Sequence, residues 1–554
     1  MKKENIIDII TDEDGRKIVV ITDIRFKGKR NIDWEDVENY LKEYVGKCYE
    51  VVETADRVFI GNDFPAELKG SEDTKRLCGA NAKAKAKVGQ IDARFSMTIE
   101  KYIKRDMITR IELDKDFIRD IGSIAQLGDL EFENDMCNVK ELGYLKGKVE
   151  SPALTCGQGK RLRCGEEFKV FNYGFYQKPD EKIKIGYIYP KNTVDLIKAV
   201  VNGICEFAAY GKYQGEKDAY IIPGLLDIQM KPMIKEEYEL GDITDYKRAA
   251  QRLRKVEGID IVIGIVPDGM DEDGPYNPFK TIWAEANIPS QMISMKTAQL
   301  FYRGKREGNK SKYYLHNIVL GILGKTGGIP WVIKEMPGNV DCFVGLDVAT
   351  LEKGIHYPAC SVVFDKSGRL LGFYKPKSAQ RGEKIETRIL QDIFDQVLLS
   401  YEEKFGEQPK NIMIHRDGFS NENDAWYEKY FGAKGIAYTI VEVRKNISSK
   451  LAIIEDGVIK NPEMGYCIYN NNKGYLVTTN MKNKKGSPNP LLLEKKCGDV
   501  PMTIILKQVL YLSQLHVGST QKMRLPITTG YADKICKNRE FVPEGKMDNR
   551  LFFL

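Results

Sequence analysis

Two aspartates, each at the end of an apolar run, are the residues of this sequence whose types and spacing first indicate chemistry. Asp347 ends the run Cys342-Phe-Val-Gly-Leu-Asp347, and Asp417 ends the run Asn411-Ile-Met-Ile-His-Arg-Asp417. Both runs predict buried strands. If the strands are parallel neighbours, the two carboxylates lie side by side, which costs free energy unless divalent cations lie between them. Such a site is what two-metal hydrolysis of a phosphodiester requires.

The segment between these aspartates predicts an ordered set of elements. Residues 361–374 predict a hairpin, because two apolar runs flank turn-forming residues at 365–368. A helix is predicted from about Lys384 to Lys404, and it leads to the strand that ends in Asp417. Strand, hairpin, helix and strand, with an acid on the first and last strands, is the order of a ribonuclease-H-like fold.

Upstream of this segment the sequence alternates between strands and helices. Strands are predicted at residues 183–189, 259–266 and 291–295, and helices at residues 193–209 and 246–256. This alternation predicts an open parallel sheet with helices on both faces, with its ligand site at the carboxyl ends of the strands.

Length and composition limit the class of protein. The 554 residues predict several domains, and no run of apolar residues is long enough for a membrane helix. The start of the chain lacks the features of a secretion signal. Eleven cysteines without a Cys-x-x-Cys pair indicate free thiols in a reducing cytoplasm, and the four histidines form no zinc-ligand spacing. A net charge of +6 is compatible with a local nucleic-acid groove.

Residues 150–554 resemble the prokaryotic branch of the Argonaute family in several motifs. The resemblance implies an α/β architecture in which a Rossmann-like MID domain is followed by a ribonuclease-H-like PIWI domain. Asp347 in Val344-Gly-Leu-Asp347 and Asp417 in His415-Arg-Asp-Gly418 match two of the family's catalytic aspartates. Asp533, at the end of the segment that begins Leu525-Pro-Ile, matches the variable fourth ligand. The family's glutamate lies on a loop where Glu383 falls here, with Glu386 as the alternative.

The resemblance also implies a mechanism and contacts. Asp347, Asp417 and Asp533 would hold two Mg²⁺ or Mn²⁺ ions, and Glu383 would orient the attacking water once a guide–target duplex is bound. Three basic residues are predicted to contact the nucleic-acid backbone, namely Arg444, Lys445 and Arg524.

A second set of residues resembles the pocket in which the family binds the 5′ end of its guide. The set contains an aromatic residue for stacking on a base, two lysines for a phosphate, amide side chains and the apolar chain end, namely Tyr276, Lys280, Gln291, Asn317, Lys325 and Leu554. Gly321 stands where relatives often carry a further lysine. Because that position supplies no charge here, the sequence leaves open whether the guide carries a 5′-phosphate or a 5′-hydroxyl.

The resemblance predicts a domain organisation. Residues 1–149 form a small α+β domain of unclear role, 150–181 a linker, 182–335 the MID domain and 336–554 the PIWI domain. The family's PAZ domain is expected to be absent or much reduced, because too few residues precede the linker. The lysine-rich run at residues 82–87 is interpreted as the solvated side of a helix, with a phosphate-binding face as the alternative.

These residues favour a cytoplasmic, nucleic-acid-guided endonuclease in which a short DNA or RNA guide directs cleavage of a complementary DNA or RNA target, with defence against plasmids or phage as its role. The alternative is a guide-loaded binding module that recruits a separate effector protein. An unguided ribonuclease-H-like nuclease would leave the predicted guide pocket unexplained. A protein kinase is excluded, because Glu422 stands where the His-Arg-Asp loop of a kinase needs asparagine.

Overall fold

A computed structural model describes residues 139–554 apart from residues 141, 180–181, 211–229, 269–276, 308–310, 353–354, 359–360, 378–379, 381, 383, 448, 481–485 and 546. Before residue 139 it describes the backbone of short strands and a few single residues, and some element ends elsewhere are described by backbone alone. The lysine-rich run at residues 82–87 lies outside the described residues. No helix among the described residues is long and apolar enough to span a membrane.

The chain forms two compact units. The first contains Met1–Lys148, Asn446–Asn470 and Tyr475–Leu491, and the second contains Val149–Lys445, Asn471–Gly474 and Leu492–Leu554. The described strands of the first unit pair antiparallel: Lys2–Thr11 with Lys17–Lys27; Lys29–Ile32, Val58–Gly61, Cys48–Glu53 and Thr74–Cys78 in that spatial order; Gln126–Leu127 with Leu130–Glu131; Ile453–Glu455 with Val458–Lys460; and Leu145–Lys148 with Tyr466–Tyr469.

The second unit begins with an open parallel sheet. Its elements follow one another along the chain as β1 (Ile183–Pro190), α1 (Val194–Tyr210), β2 (Met230–Tyr238), α2 (Ile243–Arg254), β3 (Ile261–Val266), α3 (Asn277–Glu285), β4 (Ser290–Ser294), α4 (Met295–Glu307) and α5 (Ser311–Lys325). The spatial order of the strands is β2-β1-β3-β4, and all neighbours are parallel. Every residue of β3 is buried, as expected for a central strand covered on both faces.

The predicted strands and helices of this sheet are confirmed within a few residues, and one strand was not predicted. Strand β2 has mostly exposed side chains and contains Pro232, which fits its place at the edge of the sheet. Helix α2 begins where Asp242 accepts hydrogen bonds from the main-chain N–H groups of Thr244 and Asp245, an ordinary N-cap. A small antiparallel sheet of Arg161–Leu162, Leu154–Thr155 and Val332–Ile333 belongs to the same unit.

A second sheet follows in the same unit. Its elements are β5 (Cys342–Leu346), β6 (Ser361–Asp365), β7 (Leu370–Tyr374), α6 (Thr387–Phe405), β8 (Asn411–Asp417), α7 (Asp424–Gly432), β9 (Ala437–Arg444), β10 (Leu491–Cys497), α8 (Met502–Ser513) and α9 (Ile527–Lys537). These strands lie in the order β7-β6-β5-β8-β9-β10. Strands β5, β8 and β9 are mutually parallel, while β6, β7 and β10 run antiparallel to their neighbours.

The predicted hairpin and helix of this second sheet are confirmed. Between β6 and β7 the Asp365 carboxylate accepts the main-chain N–H groups of Ser367 and Arg369, and Gly368 takes a positive φ of 72° that suits glycine. Helix α6 buries an apolar face that includes Ile389, Ile393, Phe394 and Val397 in the core below β5 and β8.

Helix α9 lies directly against strand β5. A Cβ atom at Gly345 would be only 2.2 Å from the main-chain oxygen of Thr528, so this approach requires glycine. On the neighbouring strand, His415 Nδ1 is 2.9 Å from Thr528 Oγ1. Burial lowers the pKa of His415 to about 3, so the ring is neutral and serves as an uncharged hydrogen-bond partner. These contacts fix α9 over the ends of the two strands.

Candidate metal centre and anion pocket

Three carboxylates meet at the carboxyl ends of β5 and β8. Asp347 follows β5 directly, Asp417 is the last residue of β8, and Asp533 lies on α9. The strands are parallel, with Leu346 opposite Arg416, so the two aspartates stand side by side. One carboxylate oxygen from each of the three residues lies within 4.8 Å of the others. The predicted convergence of these acids is therefore present in the fold.

Burial sets the electrostatics of this acidic cluster. Asp347 is 9% exposed and Asp417 is 7% exposed. Burial, and next the charge of Asp417, raises the pKa of Asp347 to about 6. Burial also raises the pKa of Asp417, against the opposing effect of Lys445. Burial alone would raise the pKa of Asp533 too, but hydrogen bonds from Lys445 and Lys537 outweigh it and the pKa is lowered. An oxygen-only set of buried acids suits hard divalent cations.

Lys445 lies inside the acidic cluster. Its Nζ atom is 2.6 Å from Asp417 Oδ2 and 2.6 Å from Asp533 Oδ1, and Lys537 Nζ is 2.9 Å from the other oxygen of Asp533. Burial opposes the charge of Lys445, but the two carboxylates more than compensate, so the pKa of the ammonium group is raised. The sequence predicts that Lys445 contacts the nucleic-acid backbone, and that role stays a prediction. The contacts of its side chain with Asp417 and Asp533 were not predicted from the sequence.

A buried ion pair supports the end of β8. Arg416 Nη1 donates to the main-chain oxygen of Asp417 at 2.6 Å, and Arg416 Nε donates to Glu422 at 3.2 Å. The Glu422 side chain is fully buried and also accepts from Ser420 Oγ at 2.9 Å. Arg416 therefore holds the main chain of Asp417 in place.

The two other predicted backbone contacts also have protein partners. Arg444 forms ion pairs with Glu442 and with Glu494, the latter at 2.7 Å, and its guanidinium lies 4.0 Å from the centre of the Phe419 ring. Arg524 Nη2 donates to the main-chain oxygen of Lys445 at 2.6 Å. Both roles in nucleic-acid binding stay predictions.

A pocket of the opposite charge lies between α3, β4 and α5. Lys280 and Lys325 are buried, and Lys325 is 0% exposed. Lys325 Nζ donates to Gln291 Oε1 at 2.7 Å, and Lys280 Nζ donates to the main-chain oxygen of Leu554 at 3.0 Å. The structure thus brings together four of the predicted guide-binding residues. Gln291 is the second residue of β4, so it lies away from the carboxyl end of that strand, where the sequence predicts the ligand site of the sheet.

Lys534 is a member of this lysine pocket that the sequence did not reveal. Burial, and next the charge of Lys534, lowers the pKa of Lys280 to about 8. Burial lowers the pKa of Lys325 further, with Lys280 and Lys534 contributing in the same direction. Lys534 follows Asp533 on α9, and only the packing of that helix places it beside the two lysines. In the sequence, only its position next to the predicted metal ligand Asp533 could have indicated that Lys534 lies near a functional site.

One face of α5 carries Lys325 together with two other positions that the sequence analysis singled out. Asn317, Gly321 and Lys325 are spaced by four residues and lie on one side of the helix. Asn317 is exposed. A Cβ atom at Gly321 would be 3.1 Å from Gln291 Oε1, so the glycine leaves room for the glutamine amide.

Two predicted residues lie outside the described part of the chain, namely Tyr276 and Glu383. The alternative to the latter, Glu386, is the N-cap residue of α6 and donates its main-chain N–H to Gln380 Oε1 at 3.1 Å. Gln380 Nε2 donates to the main-chain oxygens of Gly382 and Lys384, each at 2.8 Å. The described residues on both sides of position 383 are therefore tied to one buried glutamine.

Comparison with known proteins identifies the family. The Piwi domain family matches residues 261–541. The chain is 27% identical over 296 residues to protein argonaute of Aquifex aeolicus, which is 51% of this chain and 39% of that protein. It is 26% identical over 292 residues to protein argonaute of Thermus thermophilus, or 52% of this chain and 40% of that protein. The chain thus spans about two fifths of these curated relatives.

Solved structures agree with this comparison. The structure of Clostridium butyricum Argonaute bound to a guide DNA and a 19-mer target DNA superposes with a TM-score of 0.77 at 46% identity, covering 89% of this chain and 67% of that chain. The structure of A. aeolicus Argonaute superposes with a TM-score of 0.61 at 18% identity, covering 100% of this chain and 80% of that chain, and shows likeness of fold alone. The predicted fold class, a MID–PIWI architecture with a ribonuclease-H-like sheet, is confirmed. The chain belongs to the prokaryotic branch of the Argonaute family and carries its Piwi domain.

Proposed function

We propose that this protein is a guide-directed endonuclease that hydrolyses a phosphodiester of a strand complementary to its guide, with two divalent cations. The observation that carries the proposal is the meeting of Asp347, Asp417 and Asp533, from three distant parts of the chain, within 4.8 Å. Three carboxylates this close in a mostly buried site repel one another, and divalent cations relieve that repulsion. The guide and target DNA bound by C. butyricum Argonaute support the same kind of substrate here.

Each residue of the acidic cluster has a role in this proposal. Asp347, Asp417 and Asp533 would hold Mg²⁺ or Mn²⁺, which would supply an activated water and stabilise the leaving oxygen. Arg416 positions Asp417 through its main-chain oxygen. Glu383 orients the attacking water once the guide–target duplex is bound. Arg444, the last residue of β9, and Arg524, which precedes α9, contact the nucleic-acid backbone.

The lysine pocket binds the 5′ end of the guide. Lys280, Lys325 and Lys534 supply positive charge, and Gln291 supplies a hydrogen bond. Tyr276 stacks on the first base, while Asn317 and Leu554 complete the walls of the pocket. Because burial and neighbouring lysines lower the pKa of Lys280 and of Lys325, a bound phosphate would stabilise their charged forms, and we infer that the preferred guide carries a 5′-phosphate rather than a 5′-hydroxyl.

We extend the proposal to the organisation and role of the protein. Residues 182–335 form the MID domain and residues 336–554 the PIWI domain, joined through residues 150–181 to an N-terminal domain of residues 1–149. The protein acts in the cytoplasm against plasmid or phage nucleic acid. Sequencing of the nucleic acid that copurifies with the protein would test this role, since plasmid- or phage-derived guides are expected and a chromosomal average would contradict it.

Substitution of the cluster tests the proposed reaction. The protein is loaded with a 5′-phosphorylated guide and given complementary DNA or RNA with Mg²⁺ or Mn²⁺. Asp347→Ala and Asp417→Ala are each expected to reduce the cleavage rate by on the order of 10³-fold or more, with guide and target binding retained. Glu403→Gln, at an exposed position on α6, is the matched control and is expected to cut like the wild type.

The outcomes separate the candidate functions. Cleavage by Asp347→Ala and Asp417→Ala at the wild-type rate would contradict the proposed metal centre. Binding of guide and target by the wild type, without cleavage under any divalent cation, would instead support a guide-loaded module that recruits a separate effector. Cleavage that does not depend on a loaded guide would support an unguided nuclease.

A further inference from the structure

The side chain of Lys445 connects two of the three acids in a way that a metal ion would. Its ammonium group is 2.6 Å from an oxygen of Asp417 and 2.6 Å from an oxygen of Asp533. The side chain of Lys445 is 24% exposed, that of Asp417 is 5% exposed and that of Asp533 is 17% exposed. A single positive charge shared by two largely buried carboxylates is a strong, weakly screened interaction.

Lys445 and a cation bridging the same two acids exclude each other. A Mg²⁺ ion binds carboxylate oxygens at about 2.1 Å, so an ion shared by Asp417 and Asp533 would lie within the space that the ammonium group fills. Two cations at that separation would also repel each other strongly in a partly buried site. The contacts of Lys445 are with Asp417 and Asp533, whereas Asp347 Oδ1 accepts the main-chain N–H of Val348 at 2.8 Å.

We infer that Lys445 is a built-in counter-ion that competes with a divalent cation for the position between Asp417 and Asp533. Asp347 and Asp417 would therefore hold the first cation, and a second cation would be held only after the side chain of Lys445 moves away from Asp417 and Asp533. This inference rests on the proposed metal centre and deepens it, because it assigns an order and a cost to the binding of the two cations.

The surroundings of Lys445 allow this movement. Arg524 fixes the main chain of Lys445 by donating to its carbonyl oxygen at 2.6 Å, so the side chain can move while the backbone stays in place. The lysine side chain has a flexible four-carbon stem and a compact charged end. Once displaced, the ammonium group is free to contact a phosphate of the bound strands, which is compatible with the backbone contact predicted for this residue.

Lys537 provides a matched control. It also contacts Asp533, at 2.9 Å, but it lies one helical turn further along α9 and its side chain is 66% exposed. An exposed ion pair of this kind contributes little and is screened by salt. Removal of its charge should therefore change cation binding much less than removal of the charge of Lys445 does.

Binding of Mn²⁺ to the protein without nucleic acid tests the inference, with calorimetry and thermal unfolding as readouts. Lys445→Met keeps the length of the side chain and removes the charge. Without added cation, this variant is expected to unfold at a lower temperature than the wild type. It is expected to bind the second, more weakly bound Mn²⁺ ion at least about tenfold more tightly, because the repulsion between the ammonium group and that ion is removed. The temperature increase caused by Mn²⁺ should exceed that of the wild type. Lys537→Met should differ from the wild type much less than Lys445→Met does, and Lys445→Arg, which keeps the charge, should not bind Mn²⁺ more tightly than the wild type.

The results distinguish failure of this inference from failure of the metal centre. If Lys445→Met binds Mn²⁺ with the affinities and stoichiometry of the wild type, or more weakly, the competition does not exist. If neither the wild type nor Lys445→Met binds Mn²⁺, the proposed metal centre itself is wrong. Should Lys445→Met fail to fold, Lys445→Gln carries the same expectation of tighter binding and the same contradicting outcome.

Discussion

The acidic cluster and the lysine pocket are two buried charge clusters of opposite sign, and they differ in how their charges are compensated. In the acidic cluster, Lys445 lies between two carboxylates. In the lysine pocket, the fully buried ammonium group of Lys325 donates to the amide oxygen of Gln291 rather than to a carboxylate. In the proposed reaction the charge of Lys445 would have to leave the acidic cluster, whereas a ligand would neutralise the charge of Lys325 in the lysine pocket.

One helix connects the two clusters. Asp533 contributes to the acidic cluster and the next residue, Lys534, lowers the pKa of the lysines in the pocket. Successive residues of an α-helix point about 100° apart, so neighbours in sequence can face different sites. The close approach of α9 to Gly345 fixes both at once. A shift of this helix would therefore alter the two sites together.

The two clusters should differ most in how the stability of the protein changes when a lysine loses its charge, at Lys325 in the lysine pocket or at Lys445 in the acidic cluster. Lys325→Met removes a costly buried ammonium group, and half-buried Gln291 can turn to water, so the free protein should gain on the order of 1 kcal/mol of unfolding free energy. The same variant should bind a 5′-phosphorylated guide at least about 30-fold more weakly. Lys445→Met should instead lose stability. Denaturant unfolding and guide titrations measure these effects.

The guide chemistry is the control for this first prediction. A 5′-hydroxyl guide should lose much less affinity in Lys325→Met than a 5′-phosphorylated guide does, because the missing charge then has no phosphate to meet. Equal losses for the two guides would show that the pocket does not read the phosphate. A Lys325→Met protein less stable than the wild type would show that the buried lysine already has a compensating charge.

Much of this contrast could not be predicted from the sequence. Asp347 and Asp417 were found because each ends a buried run, and the strand pattern placed them together. Lys445 and Lys534 stand at ordinary surface-type positions in the sequence. Pairing of β9 with β8 brings Lys445 close to Asp417, and the packing of α9 brings Asp533 to Lys445 and Lys534 to the lysine pocket. Strand β2 was missed for a related reason. Its exposed side chains and Pro232 give no apolar pattern, since an edge strand gains its stability from pairing with β1.

A gradual effect is expected from pH, and it concerns the lysine pocket alone. Burial places the pKa of Lys280 at about 8, below its value in an unfolded chain. Between pH 8 and about 10.4 the unfolded state therefore binds more protons than the folded state, so the unfolding free energy contributed by this residue rises with pH. The full rise is about 3 kcal/mol at most.

The difference between wild type and Lys280→Met isolates this contribution from the many other groups that titrate at high pH. Denaturant unfolding from about pH 7 to about pH 10.5 should show the gap between the two proteins moving in favour of the wild type as pH rises. A bound 5′-phosphate stabilises the protonated lysine, so guide binding near about pH 8.5 should also take up protons. A pH-independent gap would mean that Lys280 is charged throughout this range.

The smallest expected effect tests the glycine that leaves room for Gln291. In Gly321→Ala the new methyl group would contact Gln291 Oε1 at 3.1 Å, and the amide must give way by a few tenths of an ångström. Alanine in place of a helix-interior glycine favours the helix by up to about 1 kcal/mol, so the free protein should be as stable as the wild type or slightly more stable. Displacement of the Gln291 amide weakens its hydrogen bond with Lys325, and guide affinity should fall by about two- to fivefold. Gly432→Ala on α7, where a Cβ atom meets nothing within 4 Å, is the control for the helix effect alone. If both variants gain helix stability and the guide affinity of Gly321→Ala is unchanged, the lysine pocket tolerates movement of Gln291. The charge of the pocket, rather than its fixed geometry, would then set the affinity for the guide.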